Sequence, residues 1–83
     1  MNLSGQLDAA WAASVWAERV TLFAQRDVEM SAVTGVDSAG LALLVTWAKS
    51  GDLPLHLVGA PAQLLRLMAL YGVESLFSLT HAA

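Results

Sequence analysis

The stretch "VTGVDSAGLALL", residues 33–44, places a carboxylate and a hydroxyl directly before an apolar run. Asp37 or Ser38 can accept hydrogen bonds from the free N–H groups of a first helical turn, which stabilises a helix by about 1 kcal/mol. A serine there also presents its hydroxyl at the positive end of the helix dipole. The pair therefore fits two roles: a helix cap, and a site where a phosphoryl group would change the surface.

The residues that could support catalysis do not converge in the sequence. His56 lies in the middle of a predicted strand with no acid spaced to partner it on that element, and His81 lies in the tail. The glycines form neither a G-x-G-x-x-G nor a Walker pattern. The absence of cysteine excludes a disulfide scaffold and cysteine-ligated zinc. We therefore predict a protein that is not an enzyme and has no cofactor or metal.

The composition is apolar for a single small domain of 83 residues, with 57% hydrophobic and 13% charged residues. Such an excess indicates either a membrane protein or a subunit that hides surface against a partner. The charge-free apolar stretch Ser38–Ala48 is about half of the roughly 20 residues that a membrane span needs. With a net charge of −3 and four scattered basic residues, we expect no nucleic-acid binding. With no signal-peptide pattern visible, we expect a cytoplasmic protein.

Hydrophobic periodicity predicts alternating strands and helices. Strands are expected from the N-terminus to about Gly5, weakly at 27–30, and at 53–59; helices are expected at about 9–20, 38–49 and 60–71; "SAVTG" is expected to be a turn, and 75–79 a short strand or turn. This βαβαβα order predicts one small α/β domain over residues 1–83, with a short sheet and helices packed against it.

The predicted helix 38–49 has two apolar sets. The inner set should face the sheet and includes Leu44, while Gly40 should let the helix approach its neighbours closely. Leu43 and Trp47 are turned away from Leu41 by the helical period and are expected to form an exposed apolar surface for a partner. In the helix that follows, Leu64, Leu67, Met68 and Tyr71 are expected to face inward.

Three segments of the chain resemble a STAS domain: "LSGQLD" at 3–8, "VEMSAVTGVDSAGLALL" at 28–44, and "LPLHLVGAPAQLLRLMALYGV" at 53–73. The D-S-x-G-L block is the most specific part of the match, and Glu29 stands where the family often has Asp. The resemblance implies a small sheet with packed helices and a binding function rather than catalysis. It also implies that Ser38 corresponds to the serine or threonine that STAS proteins present to partners.

Two branches of the family are similar to this chain. The MlaB-type branch supplies a cytoplasmic subunit that binds and supports the ATPase of a phospholipid-transport ABC system, which maintains outer-membrane lipid asymmetry. This branch is favoured because the chain is short and apolar, and it implies peripheral placement at the inner membrane through the partner. The alternative is an anti-sigma-factor antagonist, in which a serine kinase modifies the residue corresponding to Ser38. The partner-binding or phosphorylation residues are expected to be Asp37, Ser38, Gly40, Leu43 and Trp47.

Overall fold

The computed structural model describes residues 1–81. Its strands are β1 (Asn2–Leu7), β2 (Asp27–Val36), β3 (Leu55–Val58) and β4 (Phe77–Thr80). Its helices are α1 (Ala9–Trp16), α2 (Arg19–Ala24), α3 (Ser38–Lys49) and α4 (Ala62–Tyr71), and a 3-10 turn, Glu74–Leu76, precedes β4. The chain is a small α/β domain, as predicted.

The four strands form one parallel sheet in the order β1-β2-β3-β4. The longest strand is β2, and it includes the "SAVTG" segment that was expected to be a turn. That expectation is wrong because Ala32, Val33 and Gly35 all pair with β1. Val33 is buried, whereas Ala32 and Thr34 on either side of it are exposed. This alternation is typical of a strand with one face on the core and the other in solvent.

Only one face of the sheet is covered. The strands follow one another across the sheet in chain order. Because crossovers between parallel strands are right-handed, this order places every connecting helix on the same side of the sheet. Side chains on that side, such as Leu7, Met30 and Leu57, are buried, whereas their neighbours along each strand are mostly exposed or half-buried. Parallel sheets are usually covered on both faces, so the uncovered face is a departure from the rule, and it is largely polar.

The helix predicted at 9–20 is in fact two helices. It breaks at Ala17–Glu18, where the guanidinium of Arg19 donates to the carbonyl oxygen of Trp16. The break re-aims the chain so that Leu22 of α2 enters the core. By contrast, α1 contains no fully buried residue, although seven of its eight residues are apolar.

Helix α3 packs closely on the sheet, as its glycine suggested. A Cβ atom on Gly40 would lie 2.0 Å from the carbonyl oxygen of Leu7, so only glycine fits there. Leu44 is fully buried, which confirms its predicted position on the inner face. The C-terminal end of α3 is held by Arg26, whose guanidinium donates to the carbonyl oxygens of Trp47 and Ala48.

Helix α4 ends as the sequence predicts, with Gly72 in the left-handed conformation at φ 66°. Leu64 and Met68 are buried and Leu67 is half-buried. Tyr71, however, is 56% exposed, so its expected inward orientation is wrong. It lies in the last turn of the helix, beyond the part that packs on the sheet.

Candidate functional site

The candidate site is the corner where β2 ends and α3 begins. Asp37 is the N-cap of α3: its Oδ1 accepts from the backbone N–H groups of Ala39 and Gly40 at 2.9 and 3.0 Å. Ser38 is the first helical residue, and its side chain is exposed with no hydrogen bond to other residues in 1–81. Of the two residues proposed as caps, Asp37 alone takes that role.

A glutamine from α4 holds this corner in place. Gln63 accepts a hydrogen bond from the backbone N–H of Val36 at 3.1 Å through its Oε1. A Cβ atom on Gly35 would lie 3.3 Å from the Oε1 atoms of both Gln6 and Gln63. These contacts cannot be predicted from local sequence patterns, because they join residues from three separate elements.

The cap formed by Asp37 determines whether the helix start would stabilise or repel an anion added at this corner. Because Asp37 already occupies the N–H groups of Ala39 and Gly40, a phosphoryl group on Ser38 would lie beside a carboxylate. The helix dipole would offset only part of that repulsion. The corner therefore displays a neutral hydroxyl whose conversion to an anion would change the local charge strongly.

Two apolar depressions flank the exposed side of α3. The first, called here the α1–α3 groove, encloses about 430 Å³ and is lined by Ala12, Ala13, Trp16, Ala39, Ala42, Leu43 and Thr46. The second, called here the α3–α4 cleft, encloses about 510 Å³ and is lined by Ser38, Leu41, Ala42, Val45, Thr46, Tyr71 and Val73. Ala42 and Thr46 are exposed and belong to both. The hydroxyl-bearing corner is thus continuous with an apolar surface.

The two large side chains expected to be exposed on this surface are buried. Trp47 is fully buried: its indole stacks on Phe23 with ring centroids 5.9 Å apart, and its Nε1–H donates to the carbonyl oxygen of Gln25 at 2.8 Å. Leu43 is 5% exposed and lies at the base of the α1–α3 groove. The expectation of an exposed Leu43–Trp47 set is therefore wrong. It assumed that α3 packs only on the sheet, whereas α2 and the segment after it cover the side of α3 that bears Trp47.

The aromatic side chains that are exposed beside α3 come from other helices. Trp16 at the end of α1 is 45% exposed, and Tyr71 of α4 is 56% exposed. The exposure of Trp16 depends on how α1 and α3 lie side by side, which the helical period of α1 alone does not encode.

A second polar cluster lies on the uncovered sheet face. His56 Nδ1 is 2.9 Å from Asp27 Oδ1, and His56 Nε2 is 2.7 Å from Thr80 Oγ1. With a neutral imidazole, Nδ1–H donates to the carboxylate and the threonine hydroxyl donates to Nε2. The order hydroxyl–imidazole–carboxylate is that of a nucleophilic triad, but the three residues lie on the open sheet face, outside the α1–α3 groove and the α3–α4 cleft. We interpret the cluster as a polar tie across β2, β3 and β4.

The fold and site together define a class: a small α/β domain with a serine-bearing helix start beside an apolar helical surface. The family model described as "Mlab, STAS domain" matches residues 1–80. The chain belongs to the STAS domain family, whose members are generally non-catalytic and mediate protein–protein interactions. A search of curated proteins found no match. In residues 1–81, no helix has the length and apolar character needed to cross a membrane.

Proposed function

We propose that this protein is the STAS subunit that binds and supports the ATPase of a phospholipid-transport ABC system maintaining outer-membrane lipid asymmetry. The proposal places it in the cytoplasm, held at the inner membrane by that partner. It is supported by the Mlab description of the matching family model. The single structural observation that carries it is the apolar exposed side of α3, with Ser38 at its start.

The contact surface in this proposal is centred on the Asp37–Ser38 corner and the α3–α4 cleft. Ser38 lines that cleft together with Leu41 and Val45, so a partner packed there would cover the hydroxyl. A neutral hydroxyl can be buried in an interface with one hydrogen bond, whereas an unpaired charge is costly to bury. Gly40 contributes indirectly, since it sets how deeply α3 sits on the sheet.

The test compares binding of the purified ATPase subunit by wild type, Ser38→Asp and Ser38→Thr. Ser38→Asp should fold nearly as well as wild type but bind at least tenfold more weakly, because its carboxylate adds to that of Asp37 at the covered surface. Ser38→Thr should keep binding because it retains the neutral hydroxyl. Calorimetric titration gives the affinity and thermal unfolding gives the fold control. Equal affinity for Ser38→Asp and wild type would remove Ser38 from the interface.

The alternative function is that of an anti-sigma-factor antagonist controlled by a serine kinase. The exposed side chain of Ser38, free of hydrogen bonds to other residues in 1–81, favours this candidate because a kinase could reach it. A pull-down with both partner types separates the two functions. Capture of the ATPase supports the first, and capture and phosphorylation by an anti-sigma-type kinase support the second.

A further inference from the structure

The α1–α3 groove has the shape and lining of a seat for another helix. Its walls carry small side chains, including Ala12, Ala13 and Ala42, and its base is Leu43. Small residues at a helix surface allow another backbone to approach closely, and packed helices lie about 8–10 Å apart. The groove is bounded by helices of eight and twelve residues, so its length is roughly 12–18 Å at 1.5 Å per residue. An occupant of about two to three helical turns matches that length.

The end of the groove near the helix starts is negative. Leu7 and Val36 are partners in the parallel sheet, and the backbone N–H of Asp37 donates to the carbonyl oxygen of Leu7 at 3.2 Å. The residues that follow these partners, Asp8 and Asp37, are therefore neighbours in space. Both cap helix starts with one carboxylate oxygen, Asp8 on the N–H of Trp11 and Asp37 on α3.

The other end of the groove is positive. The guanidinium carbon of Arg19 lies 4.6 Å from the centre of the Trp16 ring, which forms the groove wall there. The adjacent acid, Glu18, lines a different cleft with Met1 and Gln25. Two carboxylates therefore lie just beyond one end of the groove and a guanidinium just beyond the other, outside its apolar lining.

This polarity defines the direction of the helix that fits. Helices favour acidic residues in the first turn and basic residues in the last turn, because of the helix dipole. Resting on the function proposed above, we propose that the α1–α3 groove binds one amphipathic helix of the ATPase partner, antiparallel to α1 and α3. Its basic last turn lies against Asp8 and Asp37, and its acidic first turn lies near Arg19.

A groove-filling substitution tests whether this surface is used. Ala13→Trp places a large side chain in the groove from an exposed position of α1 that does not line the α3–α4 cleft, and Ala69→Trp adds the same side chain to an exposed position of α4. The purified ATPase subunit should bind Ala13→Trp at least tenfold more weakly than wild type and Ala69→Trp equally well. Full binding by Ala13→Trp would overturn the groove proposal and leave the proposed function standing. Failure of the wild-type protein to bind the ATPase would overturn both.

The direction of the helix can be read from cross-links, because the chain has no native cysteine. Ala39→Cys lies at the acidic end of the groove and Thr46→Cys lies further along α3. Each variant carries benzophenone-maleimide and is irradiated in complex with the ATPase subunit, and mass spectrometry locates the products. Both labels should react within one partner helix, with the Ala39 label nearer its C-terminal end. Reversed order, or products scattered over several segments, would overturn the antiparallel helix.

Discussion

At the scale of single residues, Asp37 and Ser38 divide two tasks that neighbouring positions often share. Asp37 satisfies the first turn of α3, and Ser38 leaves its hydroxyl exposed. Asp37→Ala should therefore lower the free energy of unfolding by about 1 kcal/mol through the lost cap. Ser38→Ala should change it by less than about 0.5 kcal/mol, as for most surface substitutions. Urea unfolding of both variants measures the difference, and a larger loss for Ser38→Ala would reverse the assignment of the cap.

The ionisation of Glu29 depends mainly on its neighbour Ser31. The hydroxyl of Ser31, and next its backbone N–H, donate to the Glu29 carboxylate and hold its pKa below the ordinary glutamate value. A lowered pKa in the folded state stabilises the fold above the unfolded pKa, and that contribution is lost as pH falls through the folded pKa. Ser31→Ala should therefore raise the pKa of Glu29 towards its ordinary value. An NMR titration of the Glu29 side chain measures this shift.

The matched control is Ser78→Ala, which removes a hydroxyl from β4 and should leave the Glu29 titration where it is in the wild type. Ser78 pairs in register with His56, two residues along the sheet from the row that contains Glu29. An unchanged Glu29 titration in Ser31→Ala would mean that the hydroxyl does not stabilise the carboxylate.

At the scale of elements, the seating of α3 depends on one missing side chain. Alanine is a better helix former than glycine by about 1 kcal/mol. Gly40→Ala should nevertheless destabilise the domain by about 3 kcal/mol or more, because its Cβ would overlap the backbone of β1 and push α3 outward. Ala42→Gly, on the exposed side of the same helix, should cost only about 1 kcal/mol. Chemical unfolding compares the two, and a Gly40→Ala variant as stable as wild type would contradict the close packing.

The second element-scale prediction concerns the contact between α2 and α3. Trp47→Ala should reduce the free energy of unfolding by about 3–5 kcal/mol, since it removes a fully buried aromatic ring stacked on Phe23. Trp47→Phe should lower the free energy of unfolding much less, because it keeps an aromatic ring and gives up only the hydrogen bond to the carbonyl oxygen of Gln25. Thermal unfolding followed by circular dichroism measures both. A stable Trp47→Ala variant with weakened partner binding would restore the surface role that burial excludes.

At the scale of the whole molecule, local sequence patterns predicted where helices and strands lie better than they predicted how these elements pack against one another. The alternation of apolar positions located β1, β3, α3 and α4, and the D-S-x-G-L block located the corner. The strand character of residues 31–35 was not predicted because Ser31 and Gly35 are of residue types common in turns, and pairing with β1 makes this segment a strand. The burial of Trp47 was not predicted because it depends on where α2 docks, which helical periodicity does not encode.

The triad-like cluster of Asp27, His56 and Thr80 illustrates the same limit. Its members come from three strands, so no spacing along one element could reveal it. The parallel register places Asp27 opposite His56, while Thr80 lies two residues further along, opposite Val58. Asp27 can be identified as the acid beside His56 only from the pairing of β2 with β3.

The sequential strand order has a consequence for how the protein is made. Each strand after β1 pairs with the strand synthesised just before it. A newly synthesised strand therefore finds its partner already outside the ribosome. The β1–β2 pair and its helices are complete once residue 36 has left the ribosome, and each later crossover adds one strand to the growing edge. No strand must be inserted between two others. A ribosome-bound chain can therefore assemble this sheet by simple extension in the order of translation.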